Sequence, residues 1–295
     1  MSELDNNFFD YNFFIIDSNN LKNIKSRLYG YVIIDDKFYI NSIIKDIPRY
    51  ANGSYVNIYK DNENIKIQQD YNGSYGLYIF KNDSFFALSN SFLYLLKYLH
   101  GRVHLSLNND FAKYFITDDL ASLSVSETLI NEIQLLPKNA VVSIDINEIN
   151  NLKIDYLNDE LQKIPLDSEN GVMVLDNWYN KWQNLLLNLQ ENNEKILVDL
   201  TGGMDSRATF SIFNHHKMNF NENIEVRSHV SELHTFKEDY EIALMIAKKL
   251  GFKLNRSLSL KKYPLLVETS INTSFLVKLG THKQMYFNNG YYSER

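Results

Sequence analysis

Residues 195–207 read Lys195-Ile196-Leu197-Val198-Asp199-Leu200-Thr201-Gly202-Gly203-Met204-Asp205-Ser206-Arg207. The apolar run Ile196–Val198 with Leu200 has the length of a buried strand, and it leads straight into a paired-glycine turn ahead of a segment of helical pattern. Strand, tight turn and helix start follow in order. Gly202 and Gly203 are expected to take backbone angles closed to other residues and to bring the main chain close to an anion. The free N–H groups and positive dipole end of the following helix would hold that anion. Thr201 and Ser206 add hydroxyls, and Asp205 adds a carboxylate oxygen suited to Mg²⁺. The spacing and the lysine of a Walker loop are absent. A bare Gly-Gly-x-Asp-Ser run also occurs as an ordinary strand-to-helix turn, so its surroundings decide what it means.

Downstream, Arg207–Phe213 is expected to continue the helix, Asn219–Asn223 is a polar break, and Ile224–Val230 reads as a second strand. Thr235-Phe236-Lys237-Glu238 has the form of a capping box, and Tyr240, Ala243, Leu244 and Ala247 follow at helical spacing. Lys248 and Lys249 fall in the last turn, with Gly251 as the stop and Phe252–Leu258 as a further strand. Alternating strands and helices from Ile196 onward predict a parallel α/β sheet with its ligand at the carboxyl ends of the strands. Ahead of it, Met173–Leu189 has a helical stripe of Leu175, Trp178, Trp182, Leu185, Leu186 and Leu189, expected to be core.

The first half differs in character. Tyr11–Asp17, Arg27–Ile34, Lys37–Ile43, Tyr55–Tyr59, Ile65–Gln69, Tyr75–Phe80 and Phe85–Ser89 are short aromatic and β-branched runs. Polar turns such as Asp35-Asp36, Asn52-Gly53 and Lys81-Asn82-Asp83 separate them, which predicts antiparallel hairpins. Phe92–His100, Asp110–Phe115 and Ser126–Glu132 read as short helices, and Ala140–Asp145 alternates again. Leu157–Gly171 is polar and aperiodic and carries Pro165.

The run at Thr201 resembles the Ser-Gly-Gly-x-Asp-Ser pyrophosphate loop of the N-type ATP pyrophosphatases, and more narrowly the synthetase domain of the asparagine synthetase family. Thr201 replaces the first serine and keeps its hydroxyl. Asp239 through Gly251 resembles the family's aspartate followed by "A-x-x-x-A-x-x-L-G". In the first half, Tyr71–Phe80 followed by Asn82-Asp83 resembles the "G-x-F-A-x-x-I-x-D" hairpin of the class II glutamine amidotransferase domain. Ile133–Val141 resembles the "I-x-x-L-P-P-G" element near that domain's end.

The resemblance implies an α+β, Ntn-like amidotransferase domain over residues 1–156, a linker at 157–171 and an α/β ATP-pyrophosphatase domain over 172–295. That last domain is expected to be incomplete, because a second pyrophosphate motif would only begin near Gly280–Arg295. The cofactors implied are ATP and Mg²⁺. Thr201, Gly202, Gly203, Asp205 and Ser206 would bind pyrophosphate, Asp205 would hold the metal, and the backbone from Val226 to Ser228 would meet the adenine. The activity implied is amide or lactam formation through an acyl adenylate. Its partners would be a small-molecule or peptide carboxylate and an amine donor, with a homodimer or a partner protein left open.

The family's glutaminase nucleophile is an N-terminal cysteine leading directly into the first strand. Here residue 2 is Ser2, about ten residues ahead of the first strand, and the chain has no cysteine. Glutaminase activity is therefore not expected. β-Lactam synthetases and lasso-peptide cyclases resemble asparagine synthetases with the same loss. A net charge of −6 without a basic run gives no footprint for nucleic acid or an anionic membrane. No signal peptide or spanning stretch is visible, so a cytoplasmic protein is expected. His215-His216 and the pair His229 and His234 lack the spacing and carboxylate partners of a metal site. Two other readings stay open: a non-catalytic nucleotide-binding or scaffolding paralogue, and a tRNA-modifying pyrophosphatase, which the missing cysteines and acidic balance disfavour.

Overall fold

A computed structural model describes residues 13–117, 126–138, 140–148, 152–156, 163–192, 194–215, 224–229 and 234–257. It is a mixed α and β chain of two compact units, whose described residues are 13–34 with 38–156 in the first and 35–37 with 163–257 in the second. Tyr11, Ser2 and the stretch Gly280–Arg295 lie outside the described residues, as do Asn219–Asn223 and 157–162.

The first unit is built from two antiparallel sheets. One has the order β1 (Ile16–Asp17), β7 (Phe86–Ser89), β6 (Tyr78–Lys81), β8 (Ile133–Leu135). The other has the order β10 (Leu152–Tyr156), β9 (Ala140–Asp145), β5 (Asn64–Gln69), β4 (Asn52–Asp61), β2 (Arg27–Ile34), β3 (Lys37–Ile40). Side chains alternate along each strand, and this explains why the runs are so apolar. Ile79 and Leu88 from the first sheet meet Val56, Ile58, Ile65, Ile67, Val142 and Ile144 from the second in a shared core. The opposite set on the first sheet, Tyr78, Phe80, Ala87 and Ile133, packs under helix α1 (Phe92–Leu99) through Phe92, Leu95 and Leu99. The outer face of the second sheet buries Leu28, Val32 and Tyr55 beneath Ile47 and Ala51. Strands buried on both faces need apolar residues at every position.

Some elements differ from expectation. Ser126–Glu132 is not helical: Thr128 is buried, its hydroxyl faces the carbonyls of Ile130 and Ile133, and Ile130 forms a bridge with Leu107. Local hydrogen bonding by threonine offers the backbone that alternative to a helix. Asn52-Gly53, expected as a turn, opens β4 instead, because both residues pair with β2. The strand expected at Lys37–Ile43 ends at Ile40, where Asn41 takes a positive φ of 47°. Asp110–Phe115 lies within helix α2 (Asn109–Thr117).

In the second unit, helix α3 (Glu169–Glu191) begins inside the expected linker, with the Ser168 hydroxyl accepting from the Gly171 N–H at 3.1 Å. Strand β11 (Ile196–Asp199), helix α4 (Met204–His215), strand β12 (Ile224–His229), helix α5 (His234–Leu250) and strand β13 (Leu254–Ser257) follow. The three strands form a parallel sheet in the order β11-β12-β13. Val198, Leu200, Ile224 and Val226 point to one face and pack with Phe210, Phe213 and Ala243, so α4 and α5 cover the same side. Helix α5 starts at His234, one residue ahead of the threonine expected to cap it, and ends at Leu250, followed by Gly251, whose φ of +77° is the left-handed cap glycine allows.

The stripe on α3 is core only towards its end. Leu185 is buried and Leu186 packs on the sheet core, whereas Leu175 and Trp178 are 46% and 52% exposed. Length explains this. A helix of 23 residues runs about 35 Å, while a strand of four residues covers about 13 Å, so the first turns of α3 overhang the sheet. Among the described residues no helix is long and apolar enough to cross a membrane.

Asp70 organises the hairpin before β6. The residue is 1% exposed, and its carboxylate accepts the N–H groups of Asn72 at 3.1 Å, Ser74 at 2.9 Å and Tyr75 at 2.9 Å. Burial, and after it the nearby Asp70 charge, pushes the Tyr55 phenol well above its usual range. We predict that Asp70→Ala lowers unfolding stability by about 2–4 kcal/mol, since it orphans several part-buried donors at once, and that Asp70→Asn loses less. Urea unfolding checks this, and an unchanged midpoint for Asp70→Ala would show that the carboxylate does not hold the hairpin.

Candidate functional site

The turn at Thr201 sits at the carboxyl end of β11. The ladder continues one residue past the strand through the Leu200 N–H to the Arg227 carbonyl at 2.9 Å, and the chain then leaves the sheet. Helix α4 begins at Met204, and its first bond is the Arg207 N–H to the Gly203 carbonyl at 3.3 Å. The N–H groups of Met204, Asp205 and Ser206 have no hydrogen-bond partner among the described residues. These are the orphan donors of a helix N-terminus, where the dipole also favours an anion. Met204 and Asp205 are exposed, so the donors face an open surface.

Two hydroxyls brace the turn. The Thr201 and Ser206 hydroxyls lie 2.8 Å apart, the Thr201 N–H donates to Ser206 Oγ at 3.0 Å, and the Gly203 N–H donates to Thr201 Oγ1 at 3.1 Å. The single Ser206 proton is within reach of the Thr201 and Gly203 carbonyls, both at 3.2 Å. The hydroxyls thus hold the loop's shape, and the N–H groups from Met204 to Ser206 remain without a partner among the described residues. Arg207 Nε donates to the Gly203 carbonyl at 3.2 Å, placing a cation on the rim.

The glycines are required for a different reason from the one expected. Neither Gly202 nor Gly203 has a positive φ. Gly202 is needed for space: a Cβ there would stand 2.6 Å from Asp239 Oδ1, 2.8 Å from Ile242 Cδ1 and 3.1 Å from Asp239 Cα. Helix α5 therefore lies flush against the turn. A Cβ on Gly203 would meet only Thr201 Oγ1, at 3.3 Å. Asp239, matched from the sequence to the family's aspartate but not placed in the site, thus brings a second carboxylate to the loop. The signal for it was its place in the first turns of the helix after the second strand, at the edge where a parallel sheet gathers its loops.

Asp205, in the first turn of α4, and Asp239, against Gly202, are the carboxylates nearest the turn, and one or two carboxylates together with substrate phosphates suit Mg²⁺. No group of three or more His, Cys, Asp or Glu gathers among the described residues. Val226 lies in mid-strand, 2% exposed, with Val198 beside it on one edge and Leu254 on the other. Its main chain is thereby enclosed in the ladder and offers a base no open edge. Ser228 is two residues nearer the strand end; it is 1% exposed and its hydroxyl has no partner among the described residues. On the opposite sheet face, Arg227 and Asp199 form an ion pair, with Nε to Oδ1 at 2.6 Å.

Two concave surfaces lie elsewhere. One is lined by Tyr29, Tyr31, Phe38 and Tyr75 in the first unit, and one by Asp167, Glu169, Met173 and Asp176 at the start of α3. Neither gathers free donors as the Thr201 turn does. No protein-family model matches the sequence, and a search of curated proteins returned no match.

Because a Cβ at 202 collides with α5 and one at 203 meets a single hydroxyl, the two positions should respond differently to the same change. Gly202→Ala is expected to lower the unfolding free energy by roughly 1–3 kcal/mol, the scale of overpacking, and Gly203→Ala by much less. Thermal unfolding of both variants is the check, and equal midpoints would refute the close packing of α5.

Proposed function

We propose that the chain is an asparagine synthetase-like, ATP-dependent ligase that binds ATP at Thr201–Ser206 and releases pyrophosphate while adenylating a carboxylate. The observation that carries this reading is the row of free N–H groups from Met204 to Ser206, set at the carboxyl end of a parallel strand beside the Asp205 and Asp239 carboxylates. Supporting it is a first unit whose two stacked antiparallel sheets are the layers an Ntn-like amidotransferase domain would have. With no cysteine in the chain, that unit would serve as scaffold, and the amine would come from the substrate, free ammonia or a partner protein.

In the proposed reaction, a carboxylate oxygen of a small molecule or peptide attacks the α-phosphorus of ATP. The bond between the α-phosphorus and the bridging oxygen breaks, and that oxygen leaves with the pyrophosphate. An amine then attacks the acyl carbon, the amide or lactam forms, and AMP departs. The Met204, Asp205 and Ser206 N–H groups face the leaving pyrophosphate and stabilise the charge that grows on it. Arg207, at the rim, adds a cation. Thr201 and Ser206 keep the turn in the shape that aims those donors. Mg²⁺, held by Asp205 with Asp239 beside it, would neutralise phosphate charge. Without it, the two carboxylates would repel the nucleotide.

Asp205→Asn should bind MgATP weakly and lose pyrophosphate release by roughly 100-fold, as when one group that stabilises developing charge is removed, with its unfolding midpoint retained. The assay is MgATP-dependent pyrophosphate release across a panel of free amino acids and small dicarboxylates. Release undiminished in the variant would sink the assignment. A wild type that binds MgATP yet releases nothing with any of the panel would favour nucleotide binding without chemistry.

A further inference from the structure

The carboxyl edge of the parallel sheet carries more than the Thr201 turn. Ser228 pairs with Arg256 on β13, and the register of β11 with β12 sets Leu200 beside Ser228 on the other side. Leu200, Ser228 and Arg256 therefore stand on one rung. At ordinary strand spacing the Cα of Arg256 is about 10 Å from that of Leu200, and Thr201 follows immediately.

Helix α5 links the two places. Asp239 touches Gly202, and its neighbour Tyr240 touches Arg256. Arg256 Nε donates to the Tyr240 hydroxyl at 3.2 Å, and the guanidinium carbon lies 5.5 Å from the centre of the Tyr240 ring. The guanidinium is exposed and fixed from one side, while its two terminal nitrogens have no partner among the described residues. Arginine held in this way presents a planar fork suited to phosphate.

Ser228 supplies an independent sign. It faces the same side of the sheet as Leu200 and Val226, the side on which α4 and α5 lie, and its buried hydroxyl has no hydrogen-bond partner among the described residues. A buried hydroxyl without a partner is costly and is usually satisfied by something else.

We propose that Arg256 and the Ser228 hydroxyl bind the α-phosphate of the nucleotide whose β- and γ-phosphates lie on the Thr201 turn, with Tyr240 as the positioning residue for Arg256. This rests on the reading of that turn as a pyrophosphate loop. The site then has two halves: the N-terminus of α4 receives the part that leaves, and the ends of β12 and β13 retain AMP. Asp239 and Tyr240, adjacent on α5, set the distance between the halves.

Calorimetric titration of the whole chain with AMP and, separately, with pyrophosphate and Mg²⁺ tests the two halves independently. Arg256→Gln should weaken AMP binding about tenfold or more, the scale of a charge-assisted contact, and leave pyrophosphate binding within about twofold. Tyr240→Phe should weaken AMP binding less, and should add nothing in the Arg256→Gln background, the coupling expected of a residue acting through another. If the wild type binds both ligands and Arg256→Gln binds AMP equally well, the inference is overturned and the loop reading stands. Arg256-dependent AMP binding without any pyrophosphate binding overturns the loop reading instead. If the wild type binds neither ligand, both fail.

Discussion

With Asp239 Oδ1 2.6 Å and Ile242 Cδ1 2.8 Å from where a Cβ at residue 202 would stand, the turn after β11 and the first turns of α5 are in van der Waals contact. That contact determines the geometry of the edge. It brings two helix starts and two carboxylates to the end of the same strand, and it sets Tyr240, the next residue, beside the end of β13. The buried apolar set of Val198, Leu200, Phe210, Phe213, Val226 and Ala243 holds α4 and α5 on one face of the sheet. Absence of a side chain at 202 then lets them close at the rim. Together the two effects set Asp239 against Gly202, two residues ahead of the start of α4.

The first unit obeys a different constraint. Its two sheets share one core and are also covered on their outer faces, by α1 on one and by the segment around Ile47 and Ala51 on the other. Little room is left inside for polar groups; some are tied to the backbone, while the Tyr55 hydroxyl, Asn57 Oδ1 and Gln69 Oε1 have no partner among the described residues. Asp70 is the clearest case of a group so tied, a carboxylate at 1% exposure that accepts the N–H groups of its own turn and, at 3.4 Å, the Tyr55 N–H of β4. Such an arrangement stabilises a hairpin and has no chemistry to spare. It is consistent with a unit that acts as scaffold.

How far the sequence could be read depended on the range of the interaction behind each feature. β2 matched its apolar run end to end, and α4, α5 and the strand at Ile224 followed from periodicity, because alternation and helical spacing are local signals. Ser126–Glu132 misled because Thr128 bonds its own neighbourhood, an alternative to the helix that composition does not reveal. The α3 stripe misled because the sheet beneath it is short, a fact set by other segments. At the site, the order of strand, turn and helix start was legible, whereas the special backbone angles expected of Gly202 and Gly203 are not found. The reason for Gly202 was not legible, since it lies 37 positions away at Asp239. Val226 was placed against a base from order along the chain, and only the pairing of β12 on both edges encloses it.

Electrostatics determine what the loop can receive. The chain carries a net charge of −6, and the loop adds the carboxylates of Asp205 and Asp239, so no long-range field draws a polyphosphate in. Attraction must come from within a few ångströms: the α4 N–H groups with their dipole, Arg207 on the rim, and Arg256 at the far strand end. Those groups are short-ranged and directional, and they favour an anion only once it is seated. The two carboxylates work against the same anion until a divalent cation lies between them. Under the proposed reading, a site of this composition would discriminate between free phosphate and a metal–polyphosphate complex, because only the complex would convert Asp205 and Asp239 from repulsive groups into ligands.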